Sequence, residues 1–312
     1  MPDKLLRMHR ASLRERRPVM VAIAGDSAAG KTTLTAGIVA ALGAERITSI
    51  CADDYHRYDR TERKELPFTA LHPDCNYISI MEQHLQLLAT GQPILKPVYD
   101  HSTGELVRPE LVEPREFVIV EGLLPLTSRM SRACFDVSVY LDPPEPLRHE
   151  WKIARDTGER GYERDQVEAE LARREPESVE FIRPQRAHAD IVVRFAPIDV
   201  REDPPGTPLS AELILRPTVG HPDLTDILSN TDRYTMHLKL LRDDDGRPVD
   251  ALHVHGYVEP AETEVLAKSL WTAMGGSSEV PDGLGRLGAD GHSEPLAITQ
   301  LLLLHHLVAA GR

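Results

Sequence analysis

GDSAAGKTT, from Gly25 to Thr33, stands between an apolar run, Val19 to Ala24, and a stretch, Leu34 to Leu42, whose apolar residues recur at helical spacing. A glycine, four residues, then Gly-Lys-Ser/Thr is the spacing of a phosphate-binding loop, met here by Gly25, Gly30, Lys31 and Thr32. Each residue type has a physical task. Glycines permit a tight loop whose backbone N–H groups turn inward toward phosphate oxygens, Lys31 adds a mobile positive charge, and Thr32 offers a hydroxyl to Mg2+. The helix that follows contributes its positive dipole end. The cradle is therefore assigned to Gly25, Asp26, Ser27, Ala28, Ala29, Gly30, Lys31, Thr32 and Thr33. Val19 to Ala24 shows no polar alternation, as suits a buried parallel strand, so the loop reads as a strand-to-helix turn.

The chain has 312 residues, 41% of them hydrophobic, enough for one large α/β domain or two modest ones. Its formal charge of −13 argues against a general nucleic-acid binder, which needs clustered Lys and Arg. Cys51, Cys75 and Cys134 show no metal-ligand spacing and read as reduced thiols. No apolar run is long enough to span a bilayer, since Leu301 to Leu304 is followed by His305 and His306. Lys4, Arg7, Arg10, Arg14, Arg16 and Arg17 lack an apolar partner segment, so residues 1–18 read as a basic extension rather than a targeting peptide. A cytoplasmic protein is expected.

Apolar runs at Val19–Ala24, Ile47–Cys51, Phe117–Val120, Val137–Leu141 and Ile191–Phe195 alternate with helical patterns at Thr32–Leu42, Ile78–Ala89, Pro146–Thr157 and Asp165–Arg174. This alternation predicts an α/β fold with a doubly wound, mostly parallel sheet over residues 19–200. Gly91–Pro114 reads as an irregular excursion or a hairpin. Pro197, Pro204, Pro205, Gly206 and Pro208 mark a boundary before a C-terminal α+β unit, residues 201–312, expected to pack on the core. Strands are predicted there at Glu212–Arg216, Thr235–Leu241 and Ala251–Val258, with helices at Ala261–Met274 and Ala297–Ala309. Asp243, Asp244, Asp245 and Gly246 read as a solvated hairpin turn, because a calcium loop would need Glu where Val254 stands.

Binding a triphosphate is not yet chemistry. Glu121 ends the FVIV strand, where a carboxylate would stand beside the magnesium of the loop. Asp53 follows the Ile47–Cys51 strand and opens ADDYHRYDR, which places His56 and Arg60 close behind it. A carboxylate there can accept a hydroxyl proton, while His56 and Arg60 can hold an anionic group. Lys152, Arg155, Arg160, Arg173 and Arg174 form a basic segment hinged at Gly158 and Gly161, as suits a lid over phosphates.

These segments resemble the P-loop family of phosphoribulokinases and uridine kinases. The matching stretches are GDSAAGKTT, DDYHRYDR, KPVYDHSTG at Lys96–Gly104, VEGLLPL at Val120–Leu126, FDVSVYLD at Phe135–Asp142, KIARDTGERGY at Lys152–Tyr162, and FIRPQRAHADIVVRF at Phe181–Phe195. PLAITQLLLLHHL resembles the family's C-terminal helix, so the likeness runs from about Val19 to the end. DDYHRYDR, KPVYDHSTG and the C-terminal unit favour the phosphoribulokinase branch. The resemblance implies a P-loop kinase that moves the ATP γ-phosphoryl group to the C1 hydroxyl of D-ribulose 5-phosphate. It implies Asp53 as base, with Lys31, Arg155 and Arg160 also catalytic, and Thr32 and Glu121 as Mg2+ ligands. His56, Arg60, Tyr99, His101, Lys152 and Arg155 fall on the substrate side, and Arg173 and Arg174 on the nucleotide side. A homo-oligomer, a dimer or larger, is expected by the same analogy.

Two positions depart from that pattern. Relatives switched by thioredoxin pair a loop cysteine with one two residues before the base; Cys51 is present, but Ala29 holds the other position, so this disulfide cannot form. Leu124 stands where relatives commonly carry histidine. Two other readings remain at this level, a uridine or other sugar kinase and a non-catalytic ATP-binding regulator. A GTPase lacks support, because the run nearest its guanine motif is Asn230-Thr-Asp232-Arg233.

Overall fold

The computed structural model describes residues 17–198, 207–231, 235–276, 279–288 and 291–311. Most of the basic extension, the Pro204–Gly206 boundary, Asp232 and Arg233 lie outside them. Strand β1 (Val19–Gly25) is buried at all seven positions. It pairs in parallel with β5 (Phe117–Gly122) and β6 (Val137–Leu141), and β5 pairs in parallel with β2 (Ile47–Cys51). β7 (Ile191–Ala196) continues the parallel set beside β6. Three antiparallel strands, β8 (Ser210–Leu215), β10 (Pro248–Val254) and β9 (Met236–Arg242), then carry the same sheet to eight strands in the order β2-β5-β1-β6-β7-β8-β10-β9. The C-terminal strands thus continue the sheet itself.

Burial on both faces explains why the strands read as unbroken apolar runs. Val19, Val21 and Ile23 enter one core with Leu34 and Ile38 of α1 (Lys31–Leu42), whereas Met20 enters another with Met81, Leu85 and Leu88 of α2 (Ile78–Ala89). Short helix α3 (Arg129–Arg132) precedes β6, and the basic segment expected to form a lid lies on α4 (Glu145–Gly158) and α5 (Arg164–Glu177). α5 runs past the predicted Arg174 into a π-helical turn, Ser178–Ile182. Gly91–Pro114 is a hairpin of β3 (Ile94–Asp100) and β4 (Glu105–Val112), forming its own two-stranded sheet. After β8 come α6 (Thr225–Asn230), α7 (Pro260–Ala273), a minimal pair of β11 (Arg286–Leu287) and β12 (Gly291–His292), and α8 (Glu294–Ala310). No helix of the described residues is long and apolar enough to cross a membrane.

Two expectations shift. β10 begins at Pro248 rather than Ala251, because Gly246, at φ 80°, closes the turn so tightly that Arg242 already pairs with Pro248. Asp243 is not solvated: its carboxylate sits between Arg186 and Arg216, and despite burial these bonds hold it down at about 2.

α8 is apolar all round because it is enclosed, with eleven residues buried. Its one central amide has a specific place. Gln300 donates to the carbonyls of Thr33 and Leu34, each at 3.1 Å, and accepts the Gly285 N–H at 2.7 Å, tying the last helix to the first turn of α1. Gly37 leaves the room, since a Cβ there would meet the Gln300 amide at 2.2 Å. Gln300→Leu strands a buried N–H, and urea unfolding is expected to show a loss of about 1–3 kcal/mol. An unchanged midpoint would contradict this role.

Candidate active site

The loop after β1 is built from unusual backbone. Ala28, at φ 64°, is the one non-glycine among the described residues in the left-handed region, and Gly30, at φ 93°, caps α1. Strain of this kind persists where the surroundings enforce it. Here Asp26 enforces it: its buried carboxylate accepts the Ser27 N–H at 2.6 Å and the Ser178 hydroxyl, with Arg148 at 3.6 Å. Arg148 also donates to the Ser27 carbonyl at 3.0 Å. Lys31 folds onto the carbonyls of Gly25 and Asp26, both at 2.8 Å. Burial lowers its ammonium pKa, opposed by Asp53, Asp26 and Glu121.

Register places the carboxylates. Ile23 and Cys51 both stand opposite Glu121, so the three strands end at one edge. Glu121 accepts from Thr35 at 2.9 Å and from Thr32 at 3.3 Å. Thr32 and Glu121 thereby stand together as hard oxygen donors of the kind that Mg2+ takes. Asp53 lies on the 3-10 turn Ala52–Tyr55, and one of its oxygens accepts the Leu123 N–H at 3.2 Å. That approach requires Gly122, where a Cβ would stand 2.6 Å from the Ala52 Cβ. Asp54, next in the chain, turns inward instead: it accepts the Tyr99 N–H at 3.0 Å and pairs with buried Lys96. The hairpin is thus pinned to the turn that carries Asp53.

His56 is buried, and its protonation pattern follows from Asn76. The Asn76 amide nitrogen donates to Ala70 and His72 carbonyls, which leaves its oxygen to accept from His56 Nδ1 at 2.7 Å. Nε2 of His56 is therefore an acceptor. Burial pushes the imidazole down to about 4, with Asp53 opposing and Arg63 assisting. Tyr99 stacks edge-on with both His56 and His101, at centroid distances of 5.0 Å. Arg60 donates to the His101 carbonyl.

The lid brings further cations. Asp156 takes Lys152 at 2.6 Å and Arg155 at 2.9 Å, with Arg160 at 3.4 Å. Burial raises its pKa, but these bonds outweigh that and leave it below the ordinary carboxylate value. Arg155 also reaches the Ser27 hydroxyl at 3.4 Å.

One cleft of about 400 Å³ gathers Ser27, Ala28, Lys31, Thr32, Asp53, His56, Arg60, Tyr99, His101, Glu121, Arg155, Arg160 and Arg174. Gly25, Asp26, Ala29, Gly30 and Thr33 form the loop's frame around it. Two predicted residues stand elsewhere: Lys152 is buried against Asp156 behind the loop, and Arg173 donates to the Leu66 carbonyl. Leu124 packs with Leu71, Leu123 and Ile182 and presents no polar group. Arg63 is a cleft residue that the sequence reading missed. It donates to the Tyr99 hydroxyl, while its Nη1 is buried without a partner. Its position three residues after Arg60, on the 3-10 turn Glu62–Glu65, was the available signal.

The cleft wall carries six cations, Lys31, Arg60, Arg63, Arg155, Arg160 and Arg174, against two carboxylates. A chain of net charge −13 has concentrated positive charge here, as a polyanion site requires. A wider groove of about 580 Å³ near α6 and α7 is lined, among the described residues, by Asp226 and Glu262 and by no basic side chain. Placement separates the two neighbouring arginines. Arg174→Ala is expected to weaken ATP binding about tenfold or more, and Arg173→Ala to leave it nearly unchanged, by titration calorimetry. Equal losses would contradict the geometry.

Several known proteins are similar to this chain. Residues 20–200 match the model of the "Phosphoribulokinase / Uridine kinase family". A phosphoribulokinase of Synechocystis sp. is 40% identical over 198 residues, covering 64% of this chain and 60% of that protein. The chloroplastic phosphoribulokinase of Arabidopsis thaliana is 33% identical, covering 65% and 56%. A uridine kinase of Chloroflexus aurantiacus is also 33% identical, covering 56% and 86%. The matches thus span little more than half the length of these phosphoribulokinases. The solved phosphoribulokinase from Rhodobacter spheroides superposes with a TM-score of 0.60 at 18% identity, over 83% of this chain and 97% of that one, a likeness of fold. With a family match covering more than half of its length, and with the loop, Asp53 turn and basic lid converging on one cleft, the chain belongs to the phosphoribulokinase/uridine kinase family.

Proposed function

We propose that the protein transfers the γ-phosphoryl group of ATP to the C1 hydroxyl of D-ribulose 5-phosphate, giving ribulose 1,5-bisphosphate and ADP. The observation that carries this reading is the charge of the cleft on the acceptor side. Arg60 and Arg63 stand beside Asp53 there, half-buried cations that an uncharged nucleoside would leave without a counter-charge. The alternative family reading, a uridine kinase, has no comparable support from this wall.

Asp53 keeps one carboxylate oxygen on the Leu123 N–H, which orients the other toward the acceptor hydroxyl as general base. His56, neutral with Nε2 as acceptor, is suited to receive a hydrogen bond from a sugar hydroxyl rather than to supply charge. Arg60 and Arg63 then hold the acceptor's phosphate. Lys31, Arg155, Arg160 and Arg174 face the triphosphate and offset charge on the transferred group. Thr32 and Glu121 would hold Mg2+, which would supply positive charge to offset that of the phosphate oxygens. Lys152 acts through Asp156, keeping the lid cations in position.

We extend the reading to a cytoplasmic homo-oligomer. β9 is an edge strand whose Leu238, Leu240 and Leu241 are exposed, and such edges recruit partners. Leu240→Lys should lower the mass measured by light scattering toward one chain; an unaltered oligomer would exclude this edge.

Asp53→Asn tests the chemistry. Its turnover with ribulose 5-phosphate should fall by about 10²–10⁴-fold while ATP affinity changes little. Turnover within tenfold of the parent, or a preference for uridine over pentose phosphates, would overturn the reading.

A further inference from the structure

Cys51 has no task in the chemistry above, yet it borders the cleft. Its Sγ, an oxygen of Asp53 and a ring nitrogen of His101 lie within 4.8 Å of one another. None of the three is engaged elsewhere in a way that would keep a ligand out. Asp53 spends one oxygen on the Leu123 N–H, the Arg60 bond to His101 uses the backbone carbonyl and not the ring, and Lys31 is folded onto Gly25 and Asp26.

We propose that Cys51, Asp53 and His101 form a site for a thiophilic divalent cation of the zinc class, whose occupation closes the cleft to substrate. A thiolate, a carboxylate and an imidazole are a ligand set for zinc-like ions, and Mg2+, which demands oxygens, does not compete for it. Three protein ligands leave the fourth tetrahedral position open to water. Bond lengths of about 2.0–2.3 Å put ligand atoms roughly 3.5 Å apart, so the cluster, whose atoms lie within 4.8 Å, needs to contract by at most about 1.3 Å. His101 is exposed on the hairpin turn and supplies that movement. On binding, the Cys51 thiol loses its proton to solvent, and thiolate and carboxylate together match the two charges of the cation. A bound dication favours the thiolate over the thiol.

A second cluster sharpens the contrast. Glu145, His149 and Glu175 also come within 4.8 Å, but Arg183 already pairs with both carboxylates and Arg148 with Glu145. That group is neutralised by its own cations.

The site stands on geometry alone; only its inhibitory consequence rests on the proposed kinase activity. Cobalt(II) is the probe, because a thiolate ligand gives an intense charge-transfer absorption and tetrahedral coordination intense visible bands. The full chain should take up one equivalent with both signals and lose them to added Zn2+. His101→Gln should weaken cobalt affinity at least tenfold. Cys51→Ser and Cys51→Ala should abolish the charge-transfer band, with circular dichroism matched to the parent. Zn2+ should inhibit phosphoryl transfer reversibly in the parent and at least tenfold more weakly in the Cys51 variants, each normalised to its own metal-free rate. Absence of the band, or its survival in both Cys51 variants, overturns the proposal. Cobalt signals without any acceptor turnover would instead refute the kinase reading and leave the site intact.

Discussion

Parallel pairing of β2, β5 and β1 decides where every reactive group stands. β1 and β5 are enclosed on both faces and β2 sends Ile47 to one core and Ile50 to the other, and each buried valine or isoleucine contributes about 1.5–3 kcal/mol through its removal from water. A slip of one residue would turn the alternating side chains to opposite faces, so the register is strongly held. Because Ile23 and Cys51 share Glu121 as their neighbour, the phosphate loop, the Asp53 turn and the metal-type carboxylate emerge together at the carboxyl edge. Gly122 then admits the Asp53 turn at a distance that any side chain would forbid.

Around that edge, charge is organised by carboxylates that never face the substrate. Asp26 stabilises the loop from below with Ser178 and Arg148, and Ser178 belongs to the π-helical turn that ends the lid. Asp156 gathers Lys152, Arg155 and Arg160. Loop and lid are therefore joined through buried, charge-assisted bonds, which are stronger than surface pairs and more costly to break singly. The same fold ties its last helix to the first through Gln300, so residues near the end of the chain support the triphosphate cradle.

The loop, the parallel strands and the places of Lys31, Thr32, Asp53 and Glu121 in one cleft were legible in the sequence because their constraints are local. A glycine at fixed spacing from lysine, or an apolar run ending in Glu121, needs no knowledge of distant partners. Lys152, Asp156 and Asp243 were not legible for the opposite reason. Whether a charged residue faces a cleft or a buried counter-charge depends on folding, and Asp243 meets Arg186 and Arg216 only after the sheet has brought them together. Arg173 and Arg174 show the limit most plainly: adjacent cations of one helix point from different faces, as a rotation of about 100° per residue dictates. The C-terminal strands were visible as strands, but their continuity with the parallel sheet was not, since pairing partners leave no mark in composition.

The central claim is that this cleft joins a phosphoryl group to a carbon-1 hydroxyl of a sugar already bearing a phosphate. The direct measurement is 31P nuclear magnetic resonance of the full chain incubated with ATP, Mg2+ and ribulose 5-phosphate, with uridine supplied in competition. The account predicts a second phosphomonoester signal on the pentose, growing in step with ADP and with no uridine monophosphate. ADP with free phosphate alone, or uridine monophosphate as the main product, would contradict it.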